Sequence, residues 1–185
     1  MQIIVIFAGM LIIVAGVSYF IIVFNSLVSL KNNISKSWSN IDVLLKQRSD
    51  EVPNLVNSVK GYMKHERNVL AELTRARTEV LNAQSLNKKA YADNQITQAL
   101  KTIFAVAENY PKLRANENFM QLQDRISGLE NELADRREFY NDSVTNYNIR
   151  IQSFPDFIVA KMLGYRDAEL FKVSESEKKL VQVEI

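Results

Sequence analysis

The chain has no cysteine, which removes disulfides, thiolate nucleophiles, iron–sulfur clusters and thiolate zinc sites. Lipoprotein processing, which attaches lipid to a cysteine, is excluded with them. A single histidine, His65, stands beside Glu66. A di-iron bundle takes Glu-x-x-His on two helices plus two further carboxylates, so a metal centre is not expected. There is no Walker motif, no G-x-S-x-G and no G-x-G-x-x-G. Glu108, Glu130 and Glu132 could pair for acid–base work, yet nothing beside them positions a nucleophile or cradles a phosphate. No catalytic, cofactor or metal residue is assigned, and the chain is read as a non-enzyme. Five glycines and three prolines leave little turn chemistry, so helices must be long and loops few. The formal net charge of +2 is not gathered into any basic block, which gives no case for nucleic acid.

Charge is also missing from one stretch of the chain. The first charged side chain is Lys31, and residues 3–24 are an apolar run, mostly Ile, Leu, Val and Phe. At 1.5 Å per residue this run spans roughly 33 Å as a helix, close to the ~30 Å hydrocarbon core of a bilayer. Each Leu, Ile, Phe or Val favours insertion by about 0.3–0.6 kcal/mol. A secretory signal would need a basic leading segment, a shorter apolar core and small residues at its end. Here the run is too long and ends in bulky Tyr19, Phe20, Ile21, Ile22, Val23 and Phe24. Residues 1–26 are therefore read as an uncleaved transmembrane anchor, with the lipid bilayer as a partner. Lys31, Lys36, Lys46 and Arg48 all lie downstream. The positive-inside rule then favours a single pass with an outside N-terminus and a cytoplasmic C-terminal domain. Within the span, Ala8-Gly9 and Ala15-Gly16 recur seven residues apart on one helical face. Small residues at that spacing allow two spans to approach closely, which suggests a homo-oligomer.

Beyond the anchor the apolar residues repeat at three- and four-residue spacing. Leu30, Ile34, Trp38, Ile41, Leu45, Arg48, Val52, Leu55, Val59 and Tyr62 form one stripe, continuing through Leu73 towards Val80. This is the pattern of a long helix with a coiled-coil-like partner. Pro53 lies inside it and is expected to bend or interrupt the helix near Asp50. Asp42, Arg48 and Asn54 are read as a buried polar cluster that satisfies the backbone groups freed there. Trp38 lies too far beyond the span for an interface belt and is assigned to the core.

The polar patch 83–94 predicts a turn into a second helix ending at Asn109-Tyr110-Pro111. Asn116 should cap a third, whose stripe is Phe119, Leu122, Ile126, Leu129, Leu133, Tyr140, Val144, Tyr147 and Ile151. That helix should stop at Phe154-Pro155, with a short helix over 156–163 ended by Gly164. Residues 27–164 thus form one bundle, and 165–185 a mostly irregular tail, although 181–185 alternates like a strand. The fold class is all-α: one transmembrane helix followed by a long up-and-down antiparallel bundle. Tyr140-Asn141 and Tyr147-Asn148, seven residues apart, read as a polar layer fixing helix register, with a peptide- or lipid-binding groove as the other reading. The third helix is not expected to cover the whole apolar stripe of 27–38, which neighbouring copies would then shield.

Several blocks in order resemble the LemA family. They are Ser37-Trp38-x-Asn40-Ile41-Asp42-Val43, Pro53-Asn54-Leu55-Val56, Val59-Lys60-Gly61-Tyr62 and His65-Glu66 in the first half. Glu108-Asn109-Tyr110-Pro111, Tyr140-Asn141-x-x-Val144-x-x-Tyr147-Asn148 and Phe154-Pro155 follow in the second. The resemblance covers the chain to about Phe171. It implies a bacterial membrane protein with a helical bundle and no established enzymatic role, here in the cytoplasmic membrane. Two functions compete: a self-associating scaffold that organises partners at the membrane, or a sensor transmitting a ligand or envelope-stress signal through the Pro53 bend.

Overall fold

A computed structural model describes residues 1–63 and 65–171. These form six helices and, among the described residues, no strand: α1 (Gln2–Lys60), α2 (Arg67–Asn82), α3 (Leu86–Ala107), α4 (Pro111–Arg114), α5 (Glu117–Gln152) and α6 (Asp156–Met162). The all-α class is therefore met. The strand-like end at 181–185 and most of the expected tail lie outside the described residues.

Where the long helices start and stop is set by local chemistry. α1 continues through Pro53 without interruption and ends at Lys60, just before Gly61. The expected break near Asp50 does not occur, and the reason is specific. Proline has no N–H, so the carbonyl four residues before it, that of Ser49, loses its helical donor. Arg77 on α2 replaces it: its Nε donates to the Ser49 carbonyl at 2.8 Å. The helix gives out instead after Lys60, where the amides of Tyr62 and Met63 both turn back to the Val59 carbonyl. The patch 83–94 is likewise mostly helix. Only 83–85 is turn, and Ser85 caps α3 by accepting from the Lys88 amide. Asn116 caps α5 as expected, its Oδ1 accepting from the Phe119 amide at 3.1 Å. α6 closes with the Tyr165 amide on the Ala160 carbonyl, and Gly164 takes φ 71°, which strains any residue with a Cβ.

The described chain divides into two compact units. One comprises Met1–Trp38 with Phe139–Leu170. Its core is Val23 and Leu27 of α1 against Tyr147 and Ile151 of α5 and Val159 and Ala160 of α6, flanked by Leu30, Ile34, Tyr165 and Ala168. Trp38 meets Tyr140 edge to face, ring centroids 6.1 Å apart. The chain's own α5, α6 and following segment thus pack on the stripe beyond the span. Cover from neighbouring copies is not needed there, because α5 and α6 reach back along α1 as far as Val23.

The other unit comprises Ser39–Glu138 with Phe171. Ile41, Leu45, Val52, Leu55 and Val59 of α1 are buried, as are Leu73 and Val80 of α2, Ile96 and Ile103 of α3, and Phe119, Ile126 and Leu133 of α5. α2 and α3 lie against each other as a helical hairpin. On α5 the expected stripe is buried at every position except Leu122 and Leu129. Phe119, Ile126, Leu133, Tyr140 and Tyr147 recur every seventh position, but the second line is Glu130, Arg137, Val144 and Ile151. Leu122 and Leu129 are only half-buried. Two charged residues occupy stripe positions that apolar periodicity passes over.

Candidate functional site

Those two residues belong to an ionic network centred on Arg48. Arg48 occupies a core position of α1, between Leu45 and Val52, and is 1% exposed. Its Nη1 donates to Asp93 Oδ1 on α3 at 2.7 Å and its Nη2 to Thr97 Oγ1 at 3.0 Å. It also pairs with Glu130 on α5. Thr97 passes the interaction on, its hydroxyl donating to Glu130 Oε1 at 3.1 Å. Asp93, wholly buried, also holds Arg137 of α5. Arg137 in turn lies over the Phe171 ring, 5.0 Å from its centre. Two guanidinium groups and two carboxylates, on three helices, therefore cancel in one layer. Burial pulls the Arg48 pKa below its ordinary value, and the Glu130 carboxylate pushes it back up. An arginine so placed keeps its charge at any physiological pH. The layer can fix helix register.

The other sequence-predicted residues fall elsewhere. Asp42 is half-buried and pairs with Lys89 of α3. Asn54 is exposed and donates to Glu51 at 3.1 Å, while Glu51 pairs with Arg125 of α5 at 2.8 Å. Only Arg48 of the expected cluster lies in the buried network, and the carbonyl freed by Pro53 is satisfied by Arg77, not by any of the three. Asn141 is half-buried. The Asn148 amide pins the chain after α6, donating to the Ala168 carbonyl at 3.0 Å and accepting from the Ala168 amide at 2.8 Å. Tyr147 and Tyr140 act alike, their hydroxyls donating to the carbonyls of Arg166 and Glu169 at 2.9 and 3.0 Å. Tyr140, Tyr147 and Asn148 therefore staple the segment after α6 to α5. Ala8, Gly9, Ala15 and Gly16 lie on α1, and a Cβ added at Gly9 or Gly16 would meet nothing within 4 Å. Of the acid–base candidates, Glu130 is in the network and Glu132 pairs with Arg136 at the surface. His65 is exposed. Among the described residues no His, Asp or Glu cluster could hold a metal.

Sequence reasoning missed Asp93, Thr97, Glu130 and Arg137 as a set. The signal was present: an arginine at a core position of a heptad pattern demands buried acids on the facing helices. Two hollows complete the description. One of about 870 Å³ has Val56, Met63 and Leu70 along it with Lys60, Arg67 and Arg75. Another, of about 560 Å³, lies between α1 and the stapled segment and includes Lys31, Tyr165 and Arg166. Both are open to solvent.

A sequence profile described as the LemA family matches residues 37–185. Protein LemA of Metamycoplasma hominis is 29% identical, over 90% of this chain and 78% of its own length. Magnetosome protein MamQ 2 of Paramagnetospirillum magneticum is 24% identical, over 86% of this chain and 68% of its own. Magnetosome protein MamQ of Magnetospirillum gryphiswaldense is 21% identical over the same shares. None of these names is the name of an enzyme.

Two predictions arise from the network and the staples. Asp93→Ala leaves two buried guanidinium groups without their shared carboxylate and should cost about 3–5 kcal/mol. Denaturant unfolding of the full chain measures this, and a loss below about 1 kcal/mol would mean water reaches the layer. The second concerns alkali. Burial raises the Tyr140 and Tyr147 pKa values, with Glu169 adding to the first and Tyr165 and Asp167 to the second. The unfolded phenols ionise near pH 10, so the folded state binds more protons above that pH. Their contribution is complete below about pH 10 and is lost as pH rises through the raised folded values. Tyr140→Phe with Tyr147→Phe should lower stability at neutral pH by about 1 kcal/mol per lost hydrogen bond, yet flatten the alkaline fall. An equally steep fall in the double variant would assign alkaline sensitivity to other groups.

Proposed function

The chain belongs to the LemA family, and from that premise we propose that it is a non-enzymatic, membrane-anchored scaffold that self-associates through its span and gathers partners at the membrane. The first part of α1 is long and apolar enough to cross a membrane, and up to Tyr19 it is exposed apart from half-buried Gly9. That unshielded apolar helix, with open space at Gly9 and Gly16, is the observation that carries the reading. Because α5 and α6 pack on the stripe beyond the span, self-contact is narrowed to the span and its small residues. The competing sensor reading relied on a hinge at Pro53. Helix α1 runs on through that residue, so what supports sensing is only the open hollow edged by Lys60, Arg67 and Arg75.

Mass measurement of the full chain in detergent and in nanodiscs should return more than one copy. Gly9→Ile with Gly16→Ile should lower that number while helicity and insertion persist. A single copy of the unmodified chain in both environments would remove the self-association on which the scaffold rests.

For orientation, the cations downstream of the span favour an outside N-terminus and a cytoplasmic C-terminal domain in a bacterial cytoplasmic membrane. A reporter enzyme active only in the periplasm, fused after Ile185, should then be silent. Strong reporter activity would reverse the orientation.

A further inference from the structure

We propose that α6 and the turn before it form a second membrane-contacting element, whose apolar side chains enter the lipid beside the span. The inference rests on reading α1 as a membrane anchor. In the sequence from Phe154 to Leu163, five large apolar residues face solvent: Phe154 is 79% and Met162 73% exposed, with Phe157, Ile158 and Leu163 at 40–46%. A helix of seven residues that leaves so much apolar surface uncovered lacks a partner within the fold.

The fold sets the level of this surface along α1. Val159 and Ala160, on the covered side of α6, pack with Val23 and Leu27. At its start, Asp156 accepts from the Tyr19 hydroxyl and pairs with Arg150. Tyr19 lies five residues before Phe24, where the apolar run ends, or about 8 Å along the helix. α6 is therefore held beside the last turns of the segment that the bilayer surrounds, where Phe20, Ile21 and Phe24 of α1 are exposed as well. Lipid at the boundary of head groups and acyl chains is the occupant that already bathes that level. The polar groups agree with such a setting. A lone carboxylate there would be costly, but Asp156 is 5% exposed and carries both a guanidinium and a phenol. Lys161, the one cation of α6, has a stem long enough to reach head groups while its neighbours lie in lipid.

The test uses the full chain in vesicles made with or without acyl-brominated phosphatidylcholine, read by tryptophan quenching. Trp38→Phe supplies a silent background, and single tryptophans are placed by Phe157→Trp, Met162→Trp and, within the span, Leu11→Trp. All three positions are exposed, so the ring replaces no core contact. The expected result is that both α6 tryptophans lose a share of emission to bromine approaching that lost by Leu11→Trp, and resist quenching by aqueous iodide. Quenching of Leu11→Trp with bromine-insensitive, iodide-accessible tryptophans at 157 and 162 would overturn the proposal and leave the anchor standing. Bromine-insensitive tryptophan at position 11 as well would overturn the anchor reading and the proposal together.

Discussion

An arginine buried in an apolar helix face is the constraint around which one unit of this protein is arranged. Arg48 stands where heptad spacing puts Leu or Val, so folding must remove its guanidinium from water. The effective cost is several kcal/mol unless every donor direction meets an acceptor. Asp93, Thr97 and Glu130 take its two terminal amino groups, leaving only Nε without an acceptor, and their positions fix how α3 and α5 must face α1. A second guanidinium, that of Arg137, completes the neutralisation of Asp93. Such a layer adds little net stability compared with apolar packing of equal volume. What it supplies is discrimination: a shift of any helix by one turn would strand buried charge.

The same network explains why parts of the fold were legible in the sequence and parts were not. The all-α class, the Asn116 cap, the end of α5 before Pro155 and the stop at Gly164 each follow from chemistry local to the residue, and periodicity finds them. The turn expected within 83–94 lies at 83–85, but the polarity of the patch hides that α3 already starts at Leu86. Asp93 is polar because Arg48 requires it, and that reason is distant in sequence. Glu130 and Arg137 of α5 escape notice for the same cause, since they stand on the line of Val144 and Ile151 and look like surface. Pro53 is the clearest instance. A rule about one helix predicted a break, and a side chain from another, Arg77, supplies the missing donor. Gly61, a weaker local signal, marks where the helix does end.

In the unit formed by Met1–Trp38 and Phe139–Leu170, hydrogen bonding does a different task. The segment after α6 has no helical bonds of its own, so its carbonyls need external donors. Tyr140, Tyr147 and Asn148 provide them from successive turns of α5. Both tyrosines bury their rings against α1 or Tyr165 while their hydroxyls reach backbone, which uses each end of an amphipathic side chain. The repeated Tyr-Asn pattern was visible in the sequence, but its target was not, because an extended strap leaves no periodicity to recognise.

These arrangements bear on how copies of the chain can meet. A stripe left bare along α1 would drive association by burying apolar surface in water, the strongest and least selective of contacts. The strap and α5 remove that drive by packing on the stripe within one chain. Most of the span before Tyr19 stays bare, and in lipid bare apolar surface carries no hydrophobic penalty. Self-association of the kind proposed would there rest on close backbone approach at residues such as Gly9 and Gly16, a weaker and more reversible interaction. Under the proposed scaffold reading, assembly would follow density in the membrane rather than being irreversible, and the two cores would remain intact whether or not copies are assembled.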